Sequence, residues 1–186
     1  MEKRADIHEL IERSSGISLD IGCGANKQPG FIGMDIQDLS GVDILHDWNV
    51  HPWPLPDECV LRAVASHVIE HIPPVAVDDG KTRFLFMEFM DEVWRVMRPG
   101  GEFAIACPHG YSPGFLQDPT HCNAVNETTF VYFDPNHPFY NFYRPKPWNV
   151  RFINWDPSAN IEVVLVKAAV QDGRGGLCLL YTSDAA

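Results

Sequence analysis

Hydrophobic and polar positions along the chain fall into two periods. Short apolar runs bounded by glycine, proline or acidic residues recur at 17–21, 31–36, 42–45, 60–65 and 102–107, with the length and punctuation of buried strands. Two segments change to the helical period. Over 4–13, Ile7, Leu10 and Ile11 share one face, and Ser14, Ser15 and Gly16 end the element. Over 81–97, Phe86, Met90, Val93 and Met97 share one face, while Glu88, Asp91, Glu92 and Arg95 lie opposite. That pattern predicts an amphipathic helix covering a sheet, stopped by "RPGG". Prolines interrupt "HDWNVHPWPLPDE", and "SHVIEHIPP" follows the fourth strand, with Glu70 and His71 read as the start of a turn or helix. "NVRFINWDPSANIEVVLVKA" reads as two strands joined by a turn at 157–160, so the sheet closes with a hairpin. Strands alternating with helical segments predict an α/β fold.

Composition narrows the class. A chain of 186 residues with ordinary apolar and charged fractions fits one domain, read as 1–169. Residues 170–186 continue no pattern; "GGLCLLYTSDAA" resembles translated adaptor read-through, and this tail is read as non-native or disordered. The net charge of −11, without basic runs, argues against nonspecific nucleic-acid binding. The five cysteines show no zinc-type pairing. With no signal segment and no stretch of membrane-spanning length, they read as reduced thiols of a cytoplasmic protein.

The first strand runs into Gly22 and Gly24, and the second ends on Asp35. A strand, a glycine turn and another strand account for this plainly. A nucleoside accounts for it as well, with glycines admitting its polar tail to the backbone and an acid holding its ribose hydroxyls. Only "ANKQP" separates Gly24 from Gly30, so the first crossover helix is short or absent. A dinucleotide pyrophosphate, which needs a proper helix start, is disfavoured.

The ordered strings "LDIGCG", "GMDI", "VDILHDWN", "LPDECV", "SHVIEHI", "EVWRVMRPGGEFAIACPH" and "DPTHCNAVNETTFVYF" together resemble the class I S-adenosylmethionine-dependent methyltransferases of the type 11 kind. The resemblance implies a three-layer Rossmann-like sheet of seven strands, ordered three, two, one, four, five, seven, six, with strand seven antiparallel. It implies S-adenosylmethionine as cofactor, with Asp20, Gly22 and Gly24 at its methionine end. Asp35, beside Ile36, would then hold the ribose, and Asp47 the adenine amine. Trp48 would either line the adenine ring or, with Trp53, plug the sheet edge. Ser66 and His67, ending strand four, would shape the sulfonium site.

Methyl transfer from an activated sulfonium needs an in-line nucleophile and sometimes a base. Candidates are His67, His109 and His121, with Tyr111 beside them. Asp118, His121 and Cys122 lack a complete ligand set, so no metal is expected. Strand four ends without the Asn/Asp-Pro-Pro-aromatic box of amino-methylating enzymes. The aromatic stretch 108–148 is longer than an ordinary connection and reads as a lid-like insert, or as a satellite core. The expected acceptor is a small molecule or a glycan-type group. A degenerate cofactor-binding scaffold and a nicotinamide oxidoreductase are the alternatives.

Overall fold

The computed structural model describes Ile11 and residues 16–168. The helix expected over 4–13 and the tail 170–186 thus lie outside the described residues, except Ile11, which is helical and packs on the core. The strands are β1 (Ile17–Ile21), β2 (Ile32–Asp35), β3 (Ile44–Leu45), β4 (Val60–Ser66), β5 (Ala76–Asp78), β6 (Lys81–Arg83), β7 (Met97–Pro108), β8 (Trp148–Trp155) and β9 (Asn160–Lys167). Seven form one sheet in the order β3-β2-β1-β4-β7-β9-β8; β5 and β6 pair separately. Counting the large sheet alone, this is the expected order, with its seventh strand, β9, antiparallel to both neighbours. The remaining pairs are parallel, so β1, β2, β3, β4 and β7 end on one rim.

Strand periodicity places alternate residues on one face. Leu19 and Ile21 of β1, Ala63 and Ala65 of β4, Phe103 and Ile105 of β7, and Ile161, Val163 and Leu165 of β9 are buried in one cluster with Phe89 and Val93 of the helix Leu85–Val96. Rings run through it in sequence: Trp53 meets Phe89 at 5.7 Å, Phe89 meets Phe103 at 6.4 Å, and Phe103 meets Trp148 at 6.0 Å. Each such buried side chain contributes roughly 1.5–3 kcal/mol. On the opposite face Val64, Ala104, Ala106 and Val164 are only half-buried and Phe152 is exposed; among the described residues, helical cover lies on one face.

Departures from the sequence reading include two element boundaries and one side chain. The helix begins at Leu85, because 81–83 is strand β6. Asp79 and Gly80 both have positive φ (47° and 75°), the primed-turn geometry that closes a two-residue hairpin between Asp78 and Lys81. Next, "RPGG" ends the helix without ending the strand: β7 starts at Met97, and a bulge between Val60↔Met97 and Arg62↔Glu102 absorbs the glycines. Lastly, Glu92 does not face solvent. It is buried, accepting from the Trp53 amide at 2.6 Å and from Arg95 Nη2 at 2.6 Å and Nε at 3.0 Å, while Arg95 Nη1 reaches the Leu55 carbonyl at 3.0 Å. The proline-rich 53–57 segment is thereby fastened to the helix.

Candidate functional site

No helix forms between β1 and β2; residues 22–31 make an irregular loop held by carboxylates. Asp20 Oδ2 accepts from the Gln28 amide at 2.7 Å, and Asp35 Oδ2 from the Gly24 amide at 2.9 Å. Asp43 Oδ2 receives both the Gly33 amide (2.8 Å) and Lys27 Nζ (2.5 Å). The Gly22 and Cys23 amides donate across to the Met34 carbonyl of β2 at 2.8 and 3.3 Å. Burial, and then the charge of Asp35, push the Asp20 carboxyl up against the Gln28 hydrogen bond. The Cys23 thiol is pushed up to about 11, by burial first and then by Asp20 and Asp35. The rim at the ends of β1 and β2 is therefore negative.

The two motif glycines have different reasons to be glycine. Both have positive φ, 67° at Gly22 and 56° at Gly24. A Cβ on Gly22 would lie 2.3 Å from Val68 Cγ2 and 3.7 Å from Trp48 Cζ3, so this position is closed by packing. A Cβ on Gly24 would meet nothing within 4 Å. Gly24 thus exposes backbone to open space beside the Asp35 carboxylate, whose Oδ1 accepts from the Gln37 amide at 2.9 Å. Each carboxylate oxygen retains acceptor capacity, enough for a pair of hydroxyls.

Around this loop, Ile36 and Asp47 are exposed, with Asp47 Oδ1 taking the Asn49 amide at 2.9 Å. Trp48 is buried, and its carbonyl accepts from Trp53 Nε1 at 3.2 Å. Ser66 and His67 are exposed at the end of β4. His67 has φ 58°, and its amide donates to Ala106 of β7 at 2.8 Å. Its side chain is 55% exposed and its Nδ1 lies 3.2 Å from Glu70 Oε1.

The insert after β7 divides. Phe130 and Phe133 belong to the core, and Tyr132 packs against it while also stacking on Phe139 at 5.1 Å and meeting Phe142 and Tyr143 on the outer side. Tyr111 is 77% exposed. His109 is buried with both nitrogens engaged: Nδ1 accepts the Tyr111 amide at 3.2 Å, and Nε2 lies 3.1 Å from Glu127 Oε2. His121 comes to the β4 rim, because the amides of Cys122 and Asn123 donate to the Glu70 carbonyl at 2.8 and 3.0 Å. The four candidates therefore do not converge: His67 and His121 flank the 69–71 turn, while His109 and Tyr111 sit against each other at 5.5 Å. The sequence reading gave no role to Asp43 or Val68; it placed Glu70 at the start of a turn or helix, as the 69–71 turn bears out, but did not foresee that Glu70 is wholly buried.

No family model matches the chain. A curated protein of Mycolicibacterium smegmatis, described as a probable S-adenosylmethionine-dependent methyltransferase, is 32% identical over 125 residues, which is 56% of this chain and 44% of that protein. The chain thus spans under half the length of that curated relative. Among solved structures, a SAM-dependent methyltransferase of Archaeoglobus fulgidus superposes with a TM-score of 0.54 at 17% identity, covering 88% of this chain and 92% of that one. The chain has the class I methyltransferase fold. The CurJ carbon methyltransferase shares it as well, with a TM-score of 0.53 at 14% identity over 88% of this chain and 52% of that one. Among the described residues, no helix of this methyltransferase-like chain is long and apolar enough to cross a membrane.

Proposed function

We propose that this chain binds S-adenosylmethionine and transfers its methyl group to a small-molecule or glycan-type acceptor. The observation that carries the reading is Gly24: its backbone borders open space at the carboxyl rim of a parallel sheet, with the Asp35 carboxylate beside it. When bound, the cofactor supplies an already activated sulfonium methyl. The protein's part is to bind and orient. Asp35 accepts from the ribose hydroxyls, Asp47 from the adenine amine, and Ile36 and Trp48 border the base. The negative rim formed by Asp20 and Asp35 suits a cationic ligand. Ser66 and His67 border the transfer position. Glu70 fixes the His67 ring through Nδ1, which leaves Nε2 as the nitrogen to take an acceptor's proton. The insert 108–148 serves as the acceptor's lid: Tyr111 is exposed on it to face the acceptor, His121 closes it at the β4 rim, and His109 ties its first residues to Glu127 within the same insert.

A second reading, a cofactor-binding scaffold without turnover, is favoured by one observation. Asp20, Asp35 and Gly22 each have a structural partner that would retain them without catalysis. Calorimetric titration with S-adenosylmethionine and with NAD tests cofactor choice: binding of the first and not the second is expected. Asp35→Ala removes charge-assisted hydrogen bonds worth about 1.5–3 kcal/mol each, so affinity should fall more than tenfold. Unchanged affinity in that variant overturns the ribose assignment, and a fully bound protein inert toward a broad acceptor panel favours the scaffold.

A further inference from the structure

We propose that Glu70, His71 and His121 bind one divalent transition-metal ion of the zinc class. Glu70 and His71 sit in the turn after β4, and His121 arrives from the insert fifty residues later in the chain. One carboxylate oxygen of Glu70, one ring nitrogen of His71 and one of His121 lie within 4.8 Å of one another. The two rings meet edge to face at 4.7 Å.

A separate observation points to an occupant. The Glu70 side chain is 0% exposed, and its Oε2 has no hydrogen-bond partner among the described residues. A buried carboxylate oxygen without a donor is unfavourable and calls for a cation or a donor at that position. Oε1 is 3.2 Å from His67 Nδ1, so the first oxygen has a partner and the second does not.

The tautomers agree with ligation. His121 Nδ1 is 3.0 Å from the Phe115 carbonyl, which can only accept, so Nδ1 carries the proton of the neutral ring and Nε2, 3.8 Å from Asp118 Oδ2, is the nitrogen left to ligate. At His71, Thr120 Oγ1 donates its hydrogen to Asp118 Oδ1 at 2.7 Å and so accepts from His71 Nδ1 at 3.1 Å. In the neutral ring His71 Nε2 then carries the lone pair. Metal-bound histidines are characteristically held this way, with the second nitrogen donating to a carbonyl or toward a carboxylate. Two imidazoles and one carboxylate suit zinc and leave a coordination position open. Tetrahedral zinc holds its ligands about 3.3 Å apart, given bonds of about 2.0–2.1 Å, so the ion draws the three groups inward. It would also tie the insert to the rim of β4.

The test uses the full chain, stripped with chelator and titrated calorimetrically with Zn²⁺, with Co²⁺ absorption as a spectroscopic check. One ion per chain at micromolar affinity or tighter is expected, with the melting temperature raised by about 5 °C or more at a hundredfold excess over Kd. Glu70→Gln, which keeps size and shape, and His121→Ala should each weaken binding at least ~100-fold. Thr120→Val, which only orients His71, should weaken it about tenfold. Cys122→Ser and His137→Ala should leave it unchanged. No binding by the parent protein, full binding after Glu70→Gln and His121→Ala, or loss of binding in Cys122→Ser overturns the ligand set. Titration of the same samples with S-adenosylmethionine keeps the two readings apart: cofactor binding without zinc binding defeats this inference alone, and the reverse defeats only the cofactor reading.

Discussion

Replacing Gly22 by alanine puts the reading of the β1 turn to a quantitative test. At φ 67° an L-residue costs about 1–2 kcal/mol. The new Cβ would stand 2.3 Å from Val68 Cγ2, whereas ordinary contact begins at 3.4 Å. Val68 is buried, so it cannot swing into solvent, and overpacking of this kind adds about 1–3 kcal/mol. The expected loss is about 2–5 kcal/mol. Gly24→Ala supplies the control: a similar φ of 56° but open space around the Cβ, so only the backbone contribution of about 1–2 kcal/mol remains. Val68→Ala removes the obstructing methyls. Combined with Gly22→Ala, it should recover at least about 1 kcal/mol as a favourable coupling. Urea unfolding followed by the fluorescence of the five tryptophans gives all four stabilities. Equal losses at Gly22 and Gly24, or additivity of Gly22→Ala with Val68→Ala, would show that Val68 does not close this position.

Two further outcomes follow from the same geometry. Burial pushes the Glu92 carboxyl up, but the Arg95 hydrogen bonds and the Trp53 amide hold it below its ordinary value; its stabilisation is present above the unfolded pKa and lost as pH falls through the folded one. Glu92→Gln should therefore cost about 1–3 kcal/mol at neutral pH and flatten the acid limb of the stability profile below about pH 4.5, and an unchanged limb would refute it. Tyr111→Phe should lower turnover of an identified acceptor while leaving S-adenosylmethionine affinity within twofold; lost cofactor affinity would move the insert to the adenosine side.

The strands themselves were readable because each parallel strand is a short apolar run with clear punctuation and "WDPSAN" forces the β8–β9 reversal, whereas their order across the sheet came from the resemblance to class I methyltransferases. The missing first helix was readable too, since five residues between Gly24 and Gly30 cannot form one. The β5–β6 hairpin was signalled by Asp79-Gly80 but masked by the helical period running into Lys81. Glu92 escaped because periodicity assigns a face and cannot see that an arginine and a loop amide wait beside it. The place of Glu70 at the start of the 69–71 turn was legible, but its burial was not. Cys122 and Asn123, whose amides donate to its carbonyl, and the neighbouring His121 come from a segment with no period at all, so only the folded chain brings them to the turn.

The absence of a first crossover helix changes how a cofactor site must work here. A helix start would present aligned amides and a positive dipole to a ligand. In this chain the Gly24 and Gln28 amides instead donate to Asp35 and Asp20, and Lys27 is drawn to Asp43. Groups that would otherwise attract an anion are neutralised internally, and the net character of the rim turns negative. Such a rim discriminates against phosphates and favours a ligand with hydroxyl donors and a positive centre. The same carboxylates fold the loop and would meet the ligand, so ligand affinity and loop stability are linked through Asp35: a ligand whose hydroxyls share its oxygens must leave the Gly24 and Gln37 hydrogen bonds in place to bind without unfolding the turn.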